Sequence, residues 1–188
     1  MQKNLNISKE STEAIIHELQ KDGRIKYTDL AKRFNVTPAA IKERIERLIE
    51  KKIIKVSALV NQQKMYSVVA SIGIEADANA VNAIVKRIRN CPLVYNLVKT
   101  SGTHNLIIDI VATDLELVDH FVNNQIRSEP GIKHVEVNIG NSIIYPDFLQ
   151  LRLFYPNDPE YAPCGLRKDD EMCCMSCPAL YKKEKKVK

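Results

Sequence analysis

Long apolar runs are missing from this chain of 188 residues. No stretch approaches the roughly 20 consecutive apolar residues that a membrane-spanning helix needs, and the N-terminal sequence MQKNLNISKESTEAII has no apolar segment typical of a secretory signal. A glycine-rich phosphate loop, a Ser-His-Asp ordering and a carboxylate pair at a recognisable spacing are also missing, so nothing favours an enzyme. These absences predict a cytoplasmic protein with no membrane partner and no catalytic residues.

Cysteine is rare before the C-terminal segment. Of the five cysteines, Cys91 stands alone and is expected to be a small buried residue, whereas four lie within fourteen residues: Cys164, Cys173, Cys174 and Cys177. Without an export signal, clustered thiols indicate free thiols or metal ligands rather than disulfides. They could hold a zinc ion or an iron–sulfur cluster, or form a redox switch. A reduced tail without such a role is an equally good interpretation.

The net charge of +5 is unevenly distributed along the chain. Residues 1–60 hold 13 Lys and Arg against 8 Asp and Glu, residues 61–181 hold 10 against 14, and residues 182–188 hold 5 against 1. A basic compact segment is typical of a nucleic-acid contact, and an acidic one argues against it. The head is therefore the candidate nucleic-acid binder, and the basic tail is expected to be a disordered, solubilising end.

Three helices are predicted in the head. The first covers about Ser11–Lys21 with Ser11 as its cap, and the second is short with Thr28 as its cap. Asn35 suits the end of the second helix because asparagine tolerates a left-handed backbone. The third helix has the clearest start, Thr37-Pro38, and its predicted inner face consists of Ile41, Ile45, Leu48 and Ile49.

The rest of the chain changes to a β-rich pattern. The alternating, β-branched segment 53–60 predicts a strand. Further strands are predicted over 66–75, 93–100, 106–112 and 132–139, with helices over 77–90 and 114–128. The order β-α-β-β-α-β is typical of a ferredoxin-like antiparallel sheet with both helices on one face. The fold class is therefore α+β, and the uncovered sheet face is expected to be covered by dimerisation.

The second and third helices, separated by a turn of about three residues, have the layout of a winged-helix-like helix-turn-helix. Small residues at the start of the third helix let it approach DNA closely, and free backbone N–H groups there favour phosphate. Glu43 could read a cytosine, but pairing with Arg47 is the favoured interpretation. A three-helix protein-interaction module is the alternative. The residues predicted to contact DNA are Lys26, Tyr27, Lys32, Arg33, Thr37, Pro38, Ala39, Ala40, Lys42, Glu43, Arg47 and Lys51.

Several segments of the head follow a shared pattern: Lys21-Asp22-Gly23-Arg24, Tyr27-Thr28-Asp29-Leu30-Ala31-Lys32-Arg33, Val36-Thr37-Pro38-Ala39-Ala40, Arg44-Ile45, Leu48-Ile49 and Ile53-Ile54-Lys55, followed by the β-α-β-β-α-β block to about Ile144. Through these segments the chain resembles the Lrp/AsnC family of feast/famine transcriptional regulators. The resemblance implies a DNA-binding domain over 1–52, a linker strand over 53–65, and a ligand-sensing and oligomerisation domain over 66–145. A Cys-rich basic extension over 146–188 follows, in which residues 148–154 could add a strand.

The resemblance also implies partners. Such proteins are homodimers built on face-to-face sheets, often assembled into tetramers or octamers. They bind pseudo-palindromic operators in double-stranded DNA, with half-sites about one helical turn apart. Small-molecule effectors, usually amino acids, bind where dimers meet.

Two positions depart from the family pattern. The family usually has glycine after the third helix, where this chain has Lys51-Lys52, and a left-handed backbone would cost lysine about 1 kcal/mol there. The family's effector loop commonly reads Gly-x-Tyr-Asp, whereas this chain has Gly102, Thr103, His104 and Asn105. Asn105 keeps hydrogen bonding but lacks the carboxylate that suits an α-ammonium group. The effector could therefore be a different molecule, or absent.

Two functions from other classes remain as alternatives. One is an enzyme like the tetrapyrrole decarboxylases that share this architecture. The other is a metal-handling protein with a vestigial DNA-binding head. The histidines His17, His104, His120 and His134 are each expected to be packed or solvated rather than metal ligands, because an isolated histidine usually is.

Overall fold

The computed structural model describes residues 9–151. The chain divides into two compact units, with the boundary between Ala58 and Leu59. The first unit contains three helices, α1 (Lys9–Lys21), α2 (Tyr27–Phe34) and α3 (Pro38–Glu50). The second contains β1 (Val60–Asn61), β2 (Val68–Ala76), α4 (Ala78–Ile88), β3 (Val94–Lys99), β4 (Leu106–Ala112), α5 (Leu115–Val122), β5 (Ile132–Gly140) and β6 (Phe148–Leu149). Among the described residues, no helix is both long and apolar enough to cross a membrane.

The core of the first unit confirms most of the predicted apolar periodicity. Its buried residues are Ile15, Leu30, Ala31, Ile41 and Ile45, with five half-buried side chains packed around them, namely Leu19, Ile25, Phe34, Val36 and Ile54. Ile49 was predicted on the inner face of α3, but 44% of it is exposed. That prediction is wrong: Ile49 lies in the last turn of α3 and is not among the side chains that pack in this cluster.

The starts of the first two helices differ from the prediction. The chain is already helical at Lys9, so Ser11 lies inside α1 and does not cap it. In α2, the Leu30 N–H donates to the Lys26 carbonyl at 3.1 Å, which makes Lys26 the cap and places Thr28 in the first turn. Both predicted caps are wrong because a hydroxyl is favoured at a helix start but is not required there.

Both α2 and α3 end on a non-glycine residue in the left-handed region. Asn35 has φ 51°, and its N–H and that of Val36 donate to carbonyls of the last turn of α2. Lys52 has φ 56°. Its N–H and that of Ile53 donate to carbonyls of the last turn of α3, each at 2.9 Å. These paired hydrogen bonds form the Schellman motif, in which glycine is the usual residue. The predicted left-handed backbone after α3 is thus confirmed, at Lys52.

The strand predicted over 53–60 is wrong for most of its length. Residues 53–59 are irregular, and only Val60 and Asn61 pair, with Leu149 and Phe148 of β6. β-branched composition favours an extended backbone, but a strand also needs a neighbouring strand for its hydrogen bonds. No wing hairpin follows α3 in the described part of the chain.

The second unit confirms the predicted ferredoxin-like order. Its four-stranded sheet has the order β3-β4-β2-β5, and every neighbouring pair is antiparallel. Asp77 and Asp114 cap α4 and α5, and each carboxylate accepts a backbone N–H at 2.8 Å. The second predicted helix is interrupted, because α5 ends at Val122 and a π-helical turn follows over Asn123–Arg127.

The two faces of this sheet differ. Alternate residues such as Ile72, Ile74 and Ile108 point to the helix side and are fully buried with Phe121. On the other side, hereafter the open face, one part is covered within the chain. There Val111, Leu149 and Leu151 form a small buried cluster with half-buried side chains that include Tyr95. At the beginning of β5, His134 and Glu136 lie on the open face and are exposed.

Candidate DNA-binding surface and effector loop

The start of α3 has the features predicted for a DNA contact. The Thr37 hydroxyl accepts the Ala40 N–H at 3.2 Å, and Pro38 occupies the first helical position. Thr37, Pro38 and Ala39 are exposed, and Ala40 is half-buried. Because these side chains are short, the positive end of the helix can come close to an anion.

Acidic side chains hold the two cations on the outer face of α3. Arg47 Nη2 lies 2.5 Å from Glu43 Oε1, which confirms the predicted pairing. Lys42 Nζ lies 3.7 Å from Glu46 Oε1, also four residues apart. All four side chains are more than half exposed, so each pair is a weak, solvent-screened contact. The cations can therefore exchange these carboxylates for phosphates at little energetic cost.

The remaining predicted DNA contacts lie on α2, at its N-terminal cap and at the C-terminal cap of α3. Arg33 pairs with Glu18 of α1, which also accepts from Lys21 at 2.9 Å. Glu18 is only 15% exposed, so this contact ties α1 to α2. All five of these residues are exposed, namely Lys26, Tyr27, Lys32, Arg33 and Lys51.

The predicted effector loop joins β3 to β4, and its residues have different environments. Gly102 and Thr103 are exposed, and a β-carbon on Gly102 would meet nothing within 4 Å. Asn105 instead faces the backbone of β2. Its amide donates to the Ala76 carbonyl at 2.6 Å and its carbonyl accepts the Ala76 N–H at 3.2 Å. Asn105, immediately before the first residue of β4, is therefore a structural residue of the sheet.

His104 lies across the open face of the sheet. Its ring occupies the space beside Gly73, where a β-carbon would be 2.6 Å from Nδ1. The ring stacks on that of His134 with centroids 6.0 Å apart and planes inclined by 12°. Its Nε2 is 3.4 Å from Glu136 Oε2. Three groups that can bind a metal ion thus meet on one face.

From the sequence, His134 was predicted to be an isolated histidine, and no role was predicted for Glu136. The sequence His134-Val135-Glu136 on a predicted strand could have indicated that His134 and Glu136 lie together, because residues two apart on a strand share a face. The pairing with His104 is a long-range contact that the pattern does not contain. The predicted metal ligands Cys164, Cys173, Cys174 and Cys177 lie outside the described residues.

Comparisons with known proteins agree with both halves of this architecture. The AsnC-type helix-turn-helix domain matches residues 13–49, and the Lrp/AsnC ligand binding domain matches residues 68–147. An uncharacterised HTH-type transcriptional regulator of Pyrococcus horikoshii is 31% identical over 132 residues, which are 69% of this chain and 84% of the relative. The chain belongs to the Lrp/AsnC family.

Solved structures of E. coli AsnC and of a second transcriptional regulator share the fold. E. coli AsnC superposes with a TM-score of 0.64 at 23% identity, covering 73% of this chain and 94% of its own. A transcriptional regulator of Neisseria meningitidis, solved as a complex with L-Met, gives a TM-score of 0.64 at 19% identity. The match covers 78% of this chain and 96% of the Neisseria chain. The chain is thus a DNA-binding transcriptional regulator of the Lrp/AsnC type with a ligand-binding domain. These matches do not favour the tetrapyrrole-decarboxylase alternative or the metal-handling one.

Proposed function

We propose that this Lrp/AsnC protein binds a pseudo-palindromic operator as a homodimer, with one α3 in the major groove of each half-site. The observation that carries the proposal is the exposed start of α3, which Thr37 caps. The small residues Ala39 and Ala40 follow the cap, and the cations Lys42 and Arg47 lie further along the helix. Operator symmetry follows from the symmetry of the dimer. The phosphate contacts come from the flanking lysines and arginines, which fix position rather than sequence.

The test measures the affinity of the full-length protein for a fluorescent duplex as the salt concentration is raised. The duplex is first selected from a random library by binding to the full-length protein. Each phosphate contact releases counterions, so the logarithm of the affinity should fall linearly with the logarithm of salt, with a slope of about −0.9 per contact. Lys42→Ala and Arg47→Ala should each weaken binding, and the lysine variant should reduce the slope by about one contact. Lys133→Ala, an exposed lysine of β5, is the matched control. A flat salt response with unchanged variants would contradict the proposal.

The dimer is proposed to form on the part of the open face that β3 and β4 provide. That face carries the exposed Val98 beside half-buried Ile107, next to the part covered by β1 and β6. Apolar side chains there are expected to be buried by a second copy. Val98→Glu should shift the protein to a smaller species in analytical ultracentrifugation, and Lys99→Glu, at the adjacent position, is the control. An unchanged mass for Val98→Glu would place the interface elsewhere.

The effector is proposed to be a small molecule, an amino acid or a similar compound, bound beside the loop Gly102–Asn105. The complex of the N. meningitidis relative with L-Met supports this class of ligand. Because Asn105 supplies no charge, the ammonium group of an amino acid would need another acceptor. A thermal-shift screen of amino acids, with Thr103→Arg as the blocking variant, tests this point. A ligand that stabilises both proteins equally would not bind at this loop.

The four C-terminal cysteines are proposed to hold zinc or an iron–sulfur cluster, or to form a redox switch. The support is their density in the sequence and the Cys-x-x-Cys pair. Metal analysis of untagged protein purified under reducing conditions, beside Cys174→Ser/Cys177→Ser, separates these options. Metal lost in the double variant supports a metal centre. Protein without metal, whose DNA affinity changes on oxidation, supports the switch.

A further inference from the structure

We propose that His104, His134 and Glu136 form a binding site for a single zinc-like transition-metal ion on the open face of the sheet. Each residue offers one ligand atom, and the three atoms lie within 4.8 Å of one another. In a tetrahedral zinc site with bonds of about 2.0–2.1 Å, two ligand atoms are about 3.4 Å apart. The distance between His104 Nε2 and Glu136 Oε2 already has this value, 3.4 Å.

The ligand set selects the class of metal. Two imidazole nitrogens and one carboxylate oxygen suit zinc and its neighbours cobalt and nickel, whereas magnesium and calcium prefer oxygen ligands alone. Three protein ligands leave a fourth position for water or for a group on a small molecule. The site therefore resembles an open zinc site rather than a closed structural one.

The fold positions these ligands before any ion arrives. His134 and Glu136 are two residues apart on β5, so they share the face on which Glu136 lies opposite Gly73 of β2. Gly73 has no side chain, and this leaves the space that the His104 ring occupies. Asn138 donates to Glu136 Oε1 at 3.1 Å, while Oε2 faces His104. A hydrogen bond to one oxygen of a ligating carboxylate is a common orienting contact.

The backbone on both sides of His104 is also held. The Thr100 hydroxyl donates to the His104 carbonyl, and the Asn105 N–H donates to the Ile74 carbonyl at 2.8 Å. A metal ion would connect this anchored loop to β5, the strand at the other side of β2. It would therefore stabilise the loop that the family resemblance assigns to the effector. The proposal does not rest on DNA binding, and its test does not require an operator.

The test is zinc binding by the full-length protein, measured by competition with a chromophoric chelator under reducing conditions. The variants His134→Gln and Glu136→Gln remove one ligand each, and His17→Gln, an exposed histidine of α1, is the matched control. Cys174→Ser/Cys177→Ser separates ions held by the tail. Loss of an outer-shell partner alone lowers metal affinity by about 10–100-fold, so we expect loss of a ligand to lower the affinity for one zinc equivalent by about 100-fold or more. The control and the cysteine variant should still bind this equivalent.

Spectroscopy of the unsubstituted protein identifies the metal ligands even if a variant fails to fold. Cobalt at a site of two histidines and one carboxylate gives visible ligand-field bands without the thiolate charge-transfer band of a cysteine site. Zinc titrated into the protein should shift the NMR signals of His104 and His134 and leave those of His17 and His120 in place. Two results would overturn the proposal: zinc affinity unchanged in His134→Gln, or all bound zinc lost in the cysteine variant.

Discussion

The side-chain amide of Asn105 pairs with the backbone of Ala76 through both of its polar groups, donating to the carbonyl and accepting from the N–H. This amide extends the pairing of β4 with β2 beyond Leu106, the last residue of the ladder, which pairs with Ile74. A side-chain amide has a donor and an acceptor on the same planar group, whereas an ionised carboxylate can only accept. The residue at which this Lrp/AsnC chain departs from the family's acidic residue is therefore also a structural element of the sheet.

Asn105→Asp is expected to destabilise the protein. The carboxylate would still accept the Ala76 N–H, but it would face the Ala76 carbonyl without a proton to donate. Leaving a partly buried acceptor unpaired in this way costs about 1–3 kcal/mol. Urea unfolding of the second unit would measure the loss. An aspartate variant as stable as the parent protein would show that the amide pairing contributes little.

Gly73→Ala is expected to displace the His104 ring. The new β-carbon would stand 2.6 Å from Nδ1 and 2.9 Å from Cε1, so the ring must leave its stack on His134. Overpacking of this kind costs about 1–3 kcal/mol. Gly102→Ala is the matched control, since nothing lies within 4 Å of its β-carbon position. Thermal unfolding and the NMR shifts of the two histidines measure the effect, and equal behaviour of both alanine variants would contradict it.

Lys52→Gly is expected to stabilise the first unit by about 1 kcal/mol, because glycine adopts a left-handed backbone without a steric penalty. Lys51→Gly is the matched comparison, because Lys51 has φ −74° and gains nothing from glycine. It should instead lower stability by about 0.5–1 kcal/mol through the greater freedom of the unfolded chain. Chemical denaturation followed by circular dichroism distinguishes the two. Identical shifts in both variants would exclude the backbone explanation.

Tyr95 is expected to make stability fall at high pH. Burial, and secondarily the Asp109 carboxylate, raise the pKa of its hydroxyl to about 12. The unfolded chain loses this proton near pH 10. Tyr95 therefore adds stability below about pH 10, and this contribution declines as the pH rises toward 12. Tyr95→Phe should flatten this part of the stability curve. Asp109→Asn should lower the pKa of Tyr95, which an absorbance titration of the phenolate would detect.

Glu43→Gln is expected to strengthen DNA binding, because it removes a negative charge from the outer face of α3 and releases Arg47. The helix itself should lose only about 0.3–0.5 kcal/mol, as exposed pairs four residues apart contribute little. Fluorescence anisotropy with the selected duplex measures the gain, and Glu50→Gln, at the end of α3, is the control. Weaker binding that is confined to duplexes with a particular cytosine would instead make Glu43 a base reader.

The sequence alone determined the local elements of this protein. The Thr37-Pro38 start, the 3.6-residue periodicity of the helices and the alternation of the strands predicted the helix-turn-helix and the order β-α-β-β-α-β, because these patterns depend on neighbours within a few residues. They also indicated the pairing of Glu43 with Arg47, which lie four residues apart. They failed at 53–60, where residues 53–59 are irregular and only Val60, at the end of the segment, pairs with another strand.

Only the tertiary structure decided which distant residues meet. His104 and His134 are separated in the chain by β4, α5 and a π-helical turn, and they come together because β4 and β5 both flank β2. Gly73, on that central strand, leaves room for the ring of His104, a role that no local pattern reveals. The same holds for Arg33 and Glu18, which join two helices. Sequence periodicity specifies the face on which a side chain lies, whereas register and strand order specify what it faces.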